Sequence, residues 1–200
     1  MDRRSALLAC LAPLGLGLAL AVAPAGPGHA ATLGGVTFPD TYPAAGQTLV
    51  LNGMGLRTLT VFNVKAYAAG LYLPQKSGDA RAIMSSPGPK VILMQFLHAA
   101  SKSQIEKQYR EGEAKNCGHG ECDPADEGDF ERLIAATPAA AVGDTLTYVL
   151  SSRGVRVLFN NRVIGEFTNR DLGLRLLAGF IGNMPPSEDL KRHLLGLDAR

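Results

Sequence analysis

The chain has 200 residues, 46% of them hydrophobic, and carries 20 Lys and Arg against 18 Asp and Glu. A formal net charge of +2 excludes the concentrated basic face by which a protein holds nucleic acid. No long low-complexity stretch, heptad or repeat divides it, so one domain with a sizeable core is expected.

The N-terminus reads MDRR, then ALLACLAPLGLGLALAVA, then PAGPGHAA. Charged, apolar and small-residue segments in that order make a signal peptide of residues 1–30, cleaved after Ala30 with Gly28 and Ala30 as its small residues. Pro13 and Pro24 break the apolar run, which lacks the ~20 uninterrupted residues of a membrane-spanning helix. Lipid attachment at Cys10 is disfavoured because the apolar stretch follows that cysteine. Export implies a periplasmic protein, secreted where there is no outer membrane, and leaves acidic and basic residues nearly balanced.

A Pro- and Gly-containing lead-in runs through Tyr42 and Pro43. The segments QTLVLNG, LRTLTVF and VKAYAAGLYLP then read as strands, being rich in branched, aromatic and other apolar residues with glycine, asparagine or proline at their ends. The second and third form a hairpin turning near Asn63. After a connection through SSPGP, the continuous apolar run of KVILMQFL predicts a strand covered on both faces. The stretch SKSQIEKQYREGEAKN has a capping-box start at Ser101 or Ser103 and sets Ile105, Tyr109 and Gly112 on one helical face. A second short helix, DFERLIAAT, gathers Phe130, Leu133 and Ile134 before Pro138 ends it.

Three closely spaced strands follow, DTLTYVLSS, GVRVLFN and RVIGEF, with Asn160 and Asn161 as a two-residue turn. Asn169 caps a helix bearing Leu172, Leu176, Leu177 and Phe180, and Ser187 caps a last helix with Leu190 and Leu194. Hairpin strands with helices grouped apart give an α+β fold, a large antiparallel sheet with helices packed mainly on one face.

Beyond Cys10, the cysteines are Cys117 and Cys122 in NCGHGECD. In an exported protein this pair favours a disulfide, which across so short a loop removes only about 2 kcal/mol of unfolded-chain entropy. A metal site of Cys117, His119 and Cys122 is the rival, with three ligands at uncharacteristic spacing, so no metal is expected. His98, His119 and His193 lie in separate segments. NGMGLR lacks the lysine and following helix of a phosphate loop, and no GxSxG elbow is present. Tyr42, Tyr67, Tyr72, Tyr109 and Tyr148 are ligand donors or ordinary core-edge residues.

Arg57 draws most interest, because strand alternation sets it on the side of Leu59 and Val61, a guanidinium beside an apolar face. Such a charge needs a partner. A ligand anion is one candidate, an internal pair with Glu111 or Glu113 the other, and snorkelling at the strand end a third.

Three blocks together resemble the chalcone isomerase-like family: LNGMGLRTLTVFNVKAYAAGLYLP, KVILMQFLHAASKSQIEKQYREGEAKN, and VGDTLTYVLSSRGVRVLFNNRVIGEFTNRDLGLRLLAGFIGNMPPSEDLKRHLLG. The resemblance makes residues 31–200 a domain of that family, an open-faced β-sandwich with a ligand cleft between sheet and helices. It matches Arg57 to the arginine with which plant chalcone isomerases stabilise a phenoxide, a catalytic role here only if the protein is an enzyme. Where those enzymes carry a threonine, a helix tyrosine and a helix asparagine, this chain has Tyr67, Gln104 and Glu111. Other branches bind fatty acids through the arginine, and some mitochondrial relatives are associated with haem.

The resemblance thus implies an exported, noncatalytic domain without a cofactor, binding an amphipathic or hydrophobic small molecule of fatty-acid type through Arg57, Tyr67 and Gln104. An isomerase or intramolecular lyase acting on a chalcone-like enone is the alternative. Haem binding is another and would need His98 or Tyr67 as axial ligand.

Overall fold

The structure is a computed structural model that describes residues 30–59, 63–117 and 127–197. The expected signal peptide, apart from Ala30, lies outside the described residues, as do Val61, His119 and Cys122.

An antiparallel sheet of seven strands runs in sequence order through β3 (Thr41–Ala44), β4 (Gln47–Leu59), β5 (Val64–Leu73), β6 (Lys90–Phe96), β7 (Thr145–Ser151), β8 (Gly154–Phe159) and β9 (Arg162–Phe167). Beside it, β1 (Ala30–Leu33) and β2 (Val36–Pro39) form a two-stranded sheet of their own. The helices are α1 (Ala80–Ser85), α2 (Lys102–Cys117), α3 (Glu127–Ala136), α4 (Arg170–Ile181) and α5 (Glu188–Leu194). The expected α+β architecture is the one observed.

Local chemistry explains the elements. Asn160 and Asn161 take φ of 48° and 62° between β8 and β9, the left-handed pair that lets a tight turn follow the strand twist. Asn63, at φ 55°, stands at the turn expected between β4 and β5. The capping box of α2 is reciprocal: Gln104 N donates to Ser101 Oγ at 3.3 Å and Ser101 N donates to Gln104 Oε1 at 2.8 Å. Asn169 Oδ1 accepts from Asp171 N at 2.8 Å and Ser187 Oγ from Leu190 N at 3.2 Å, capping α4 and α5.

The pleat sorts the core into two layers. Ala69, Leu71, Ile92, Met94 and Phe96 face the helices and bury Phe130, Leu133, Leu172, Leu177, Leu190 and Leu194. Ala68, Tyr72 and Val91 face the other way, toward Val36 and Phe38 of β2 and Leu49 and Leu51 of β4. At Gly70 a Cβ would stand 2.8 Å from Phe38 Cδ1, so the missing side chain is what lets Phe38 sit on the sheet.

Three expectations are corrected. The lead-in is strand, since β1, β2 and β3 occupy it; their short, Gly-broken runs carry too little periodicity to be read alone. The turn before β6 is preceded by α1, capped by Asp79 Oδ1, which accepts from Ala82 N at 3.0 Å. QTLVLNG and the described part of LRTLTVF, to Leu59, are one strand, because Gly53 and Gly55 are not turn residues but the floor on which α5 rests. A Cβ on Gly53 would lie 2.1 Å from His193 O and 2.7 Å from Leu194 O.

That contact is backbone against backbone and has no flexible end to yield. Gly53→Ala is expected to cost about 3 kcal/mol or more through overpacking. Gly112→Ala, in α2 with nothing within 4 Å of the added carbon, should gain up to ~1 kcal/mol. Urea denaturation of both variants checks the pair, and equal effects would contradict the packing described.

Candidate functional site

A cavity of about 710 Å³ opens between the helix-facing side of the sheet and helices α2, α3 and α4, within the range usual for small-molecule sites. Met94, Phe96 and Leu146 line it from the strands, and Ile105, Phe130 and Phe180 from the helices. That part of the wall can pack against hydrocarbon, and the polar groups beside it, among them Arg57, Gln104, Lys107 and Glu111, decide what else a ligand must carry.

Arg57 is the first of these. Its direction depends on a β-bulge at Asn52. Leu51 is opposite Tyr72, but Gly53 is opposite Leu71, so Asn52 is the extra residue. The phase of β4 flips there, and Gly55 and Arg57 lie opposite Ala69 and Tyr67 on the helix-facing side. Asn52 is fixed by its own side chain, which donates to Leu194 O at 2.8 Å and to Ser77 O at 3.0 Å and accepts from Ser77 N at 2.7 Å.

Arg57 Nη1 donates to Thr58 O at 3.2 Å, while its Nε is buried without a hydrogen-bond partner. Among the described residues Arg57 makes no ion pair. The internal pair with Glu111 or Glu113 is therefore not formed. Glu111 meets Lys107 at 3.8 Å and Gln108 Nε2 at 3.3 Å, and Glu113 Oε1 meets Arg175 Nη1 at 2.9 Å.

Tyr67, the cross-strand neighbour of Arg57, also lines the cavity. Its ring stands edge-on to Phe96 and Phe180 at 6.3 and 6.5 Å. Burial pushes its pKa up to about 12, with Arg57 opposing and Tyr109 adding. It is a neutral hydroxyl donor at ordinary pH. Gln104 lines the cavity from an exposed position at the start of α2, and the capping box engages its oxygen, leaving Nε2 for a ligand. His98 lines the cavity and is exposed. Cys117 ends α2.

Sequence reasoning passed over Arg175. Its side chain is 1% exposed, paired with Glu113 and set with its guanidinium 5.6 Å from the centre of the Phe130 ring. The signal was present: three residues after Leu172 and beside Leu176, Arg175 falls within the apolar stripe of α4. Glu113 has a raised pKa because burial outweighs the attraction of Arg175.

Tyr109 and Tyr148 also line the cavity, their hydroxyls hydrogen-bonded to each other, and Tyr109 reaches Thr137 Oγ1 at 3.4 Å. Thr137 donates onward to Leu133 O at 2.8 Å, so its oxygen is an acceptor for Tyr109. Burial raises the pKa of both tyrosines. Among the described residues no three His, Cys, Asp or Glu are grouped as a metal site, and no helix is long and apolar enough to cross a membrane.

The chalcone isomerase-like family model matches residues 30–196. No curated protein matches the chain. Among solved structures, the crystal structure of a fatty-acid binding protein from Arabidopsis thaliana superposes with a TM-score of 0.66 over 84% of this chain and 96% of that one, at 13% identity. At that identity the likeness is one of fold.

A tyrosine whose folded pKa is raised stabilises the fold fully below its unfolded value near 10, and that stability is lost as pH rises through the folded value. For Tyr67 the window runs from about 10 to about 12. Chemical denaturation should show a loss on the order of 1 kcal/mol between pH 9 and pH 11 from this group, reduced in Tyr67→Phe. An unchanged pH slope in that variant would show the hydroxyl to be solvated.

Proposed function

Because this chain belongs to the chalcone isomerase-like family, we propose that it is a noncatalytic domain binding a fatty-acid-like carboxylate in the cavity between sheet and helices. The observation that carries this reading is Arg57, a cation without a carboxylate partner among the described residues, beside the apolar part of the wall of a large cavity. A carboxylate head meets its donors and the hydroxyl of Tyr67, while the chain lies against Met94, Phe96 and Phe180. The likeness to a fatty-acid binding protein is consistent with this ligand class.

Against catalysis stand the residues at the family's other positions. Tyr67 is held neutral, the oxygen of Gln104 is engaged by the helix cap, and Glu111 is exposed and engaged by Lys107 and Gln108. Neither Tyr67 nor Gln104 is poised to move a proton at neutral pH.

We further propose that the chain acts after export to the periplasm, with residues 1–30 removed and Cys117 bridged to Cys122. Intact mass of the periplasmic protein should correspond to a chain starting at Ala31, lighter by two hydrogens than its reduced form. A cytoplasmic protein retaining residues 1–30 would refute it.

Binding is measured by NMR of carboxyl-labelled palmitate. The wild type should bind saturably, Arg57→Ala some 10–100-fold more weakly, as expected for a lost charge-assisted hydrogen bond, and Arg57→Lys in between. Equal affinity of wild type and Arg57→Ala sinks the proposal, as does loss of chalcone absorbance above the uncatalysed rate.

A further inference from the structure

A second cavity, of about 440 Å³, is bounded by α1, the start of β6, the β7–β8 turn and the first half of α4, and shares no lining residue with the first. Lys90 is in its wall and only 5% exposed. Its ammonium donates to Ser86 O at 2.8 Å and Gly88 O at 2.9 Å. Two of its three N–H groups are thereby spent on carbonyl dipoles. No carboxylate pairs with the ammonium among the described residues.

Arg170, the first residue of α4, lines the same cavity from an exposed position. Among the described residues neither Lys90 nor Arg170 makes an ion pair. Burial and the nearby Arg170 both hold the Lys90 ammonium below the usual lysine range, the mark of a charge short of compensation. Asp171 also lines the cavity and opposes an anion, but it pairs with neither cation, and two positive groups outweigh it. The first turn of the twelve-residue α4 adds its partial positive charge.

Burying a lysine against carbonyls alone is costly, and an incoming anion supplies the missing charge. Met84, Leu150, Leu174 and Leu177 form the apolar part of the wall, which a bare inorganic ion would leave unused. We propose that this cavity is a second binding site, taking a small amphiphilic anion whose head lies between Lys90 and Arg170 and whose carbon body packs on Met84, Leu150 and Leu174. The site is independent of the one containing Arg57.

The test is an amide NMR titration of the folded protein with sodium hexanoate. Gly88, Gly154 and Gly173 line the cavity and serve as reporters. Their signals should shift saturably, and to the same extent in Arg57→Ala, which separates this site from the first. Arg170 is exposed, so Arg170→Ala leaves the fold intact and should weaken binding about tenfold through loss of a charged partner. Four outcomes overturn the proposal: no saturable shift at these glycines, unchanged affinity in Arg170→Ala, equal shifts with neutral 1-hexanol, or binding of inorganic phosphate as tight as that of hexanoate.

Discussion

The direction of Arg57 hangs on one extra residue. Strands repeat every two residues, so without a bulge Arg57 would share the face of Leu49 and Leu51 and point toward Phe38. Asn52 breaks the phase and turns the guanidinium into the cavity. Its side chain bonds to Leu194 O, 142 residues along the chain, and to both backbone groups of Ser77. Each such bond contributes only about 1 kcal/mol net, but leaving its buried partners unmet costs about 1–3 kcal/mol apiece. The bulge therefore persists because α5 and the loop after β5 depend on it, and α5 lies close because Gly53 and Gly55 carry no side chains. Arg57 and α5 are parts of one constraint.

Several other polar groups of the cavity wall are partnered within the protein. Thr137 spends its proton on Leu133 O, so Tyr109 donates to Thr137 and Tyr148 donates to Tyr109, a chain with one consistent direction. Arg175 has Glu113 and the face of Phe130. These polar groups are answered within the protein, as buried ones must be. Arg57 has no carboxylate partner among the described residues, and that contrast gives the cavity a cationic end beside its hydrocarbon wall.

Much of the fold was legible because its signals are local. The caps at Ser101, Asn169 and Ser187, the Asn160–Asn161 turn and the apolar stripe of α4 are fixed by neighbours within four residues, and sequence reading finds such features. The bulge was not legible, since nothing in LVLNGMGLR says which residue is extra until Leu194 and Ser77 are near. The glycines were read as strand boundaries for the same reason: their purpose is an approach by α5 that no local rule foretells. Arg57 and Leu59 share the cavity wall as their alternation implies, because that alternation begins after the bulge. Arg175 was missed although its position in the stripe of α4 was visible, because a charge among leucines was passed over as an interruption.

The same geometry bears on binding against catalysis. A carboxylate carries its full charge before and after any step, so an arginine that meets it stabilises ground and transition states alike and yields affinity without acceleration. Acceleration through an oxyanion needs further groups whose interactions grow as the charge develops, and a base or acid whose pKa lies near the working pH. Burial has moved the cavity tyrosines the wrong way for a base, and Gln104 gives its oxygen to the N-cap of α2. What remains is a cation aimed by a bulge into a cavity with an apolar wall, and the proposed recognition of an anionic amphiphile rests on that arrangement.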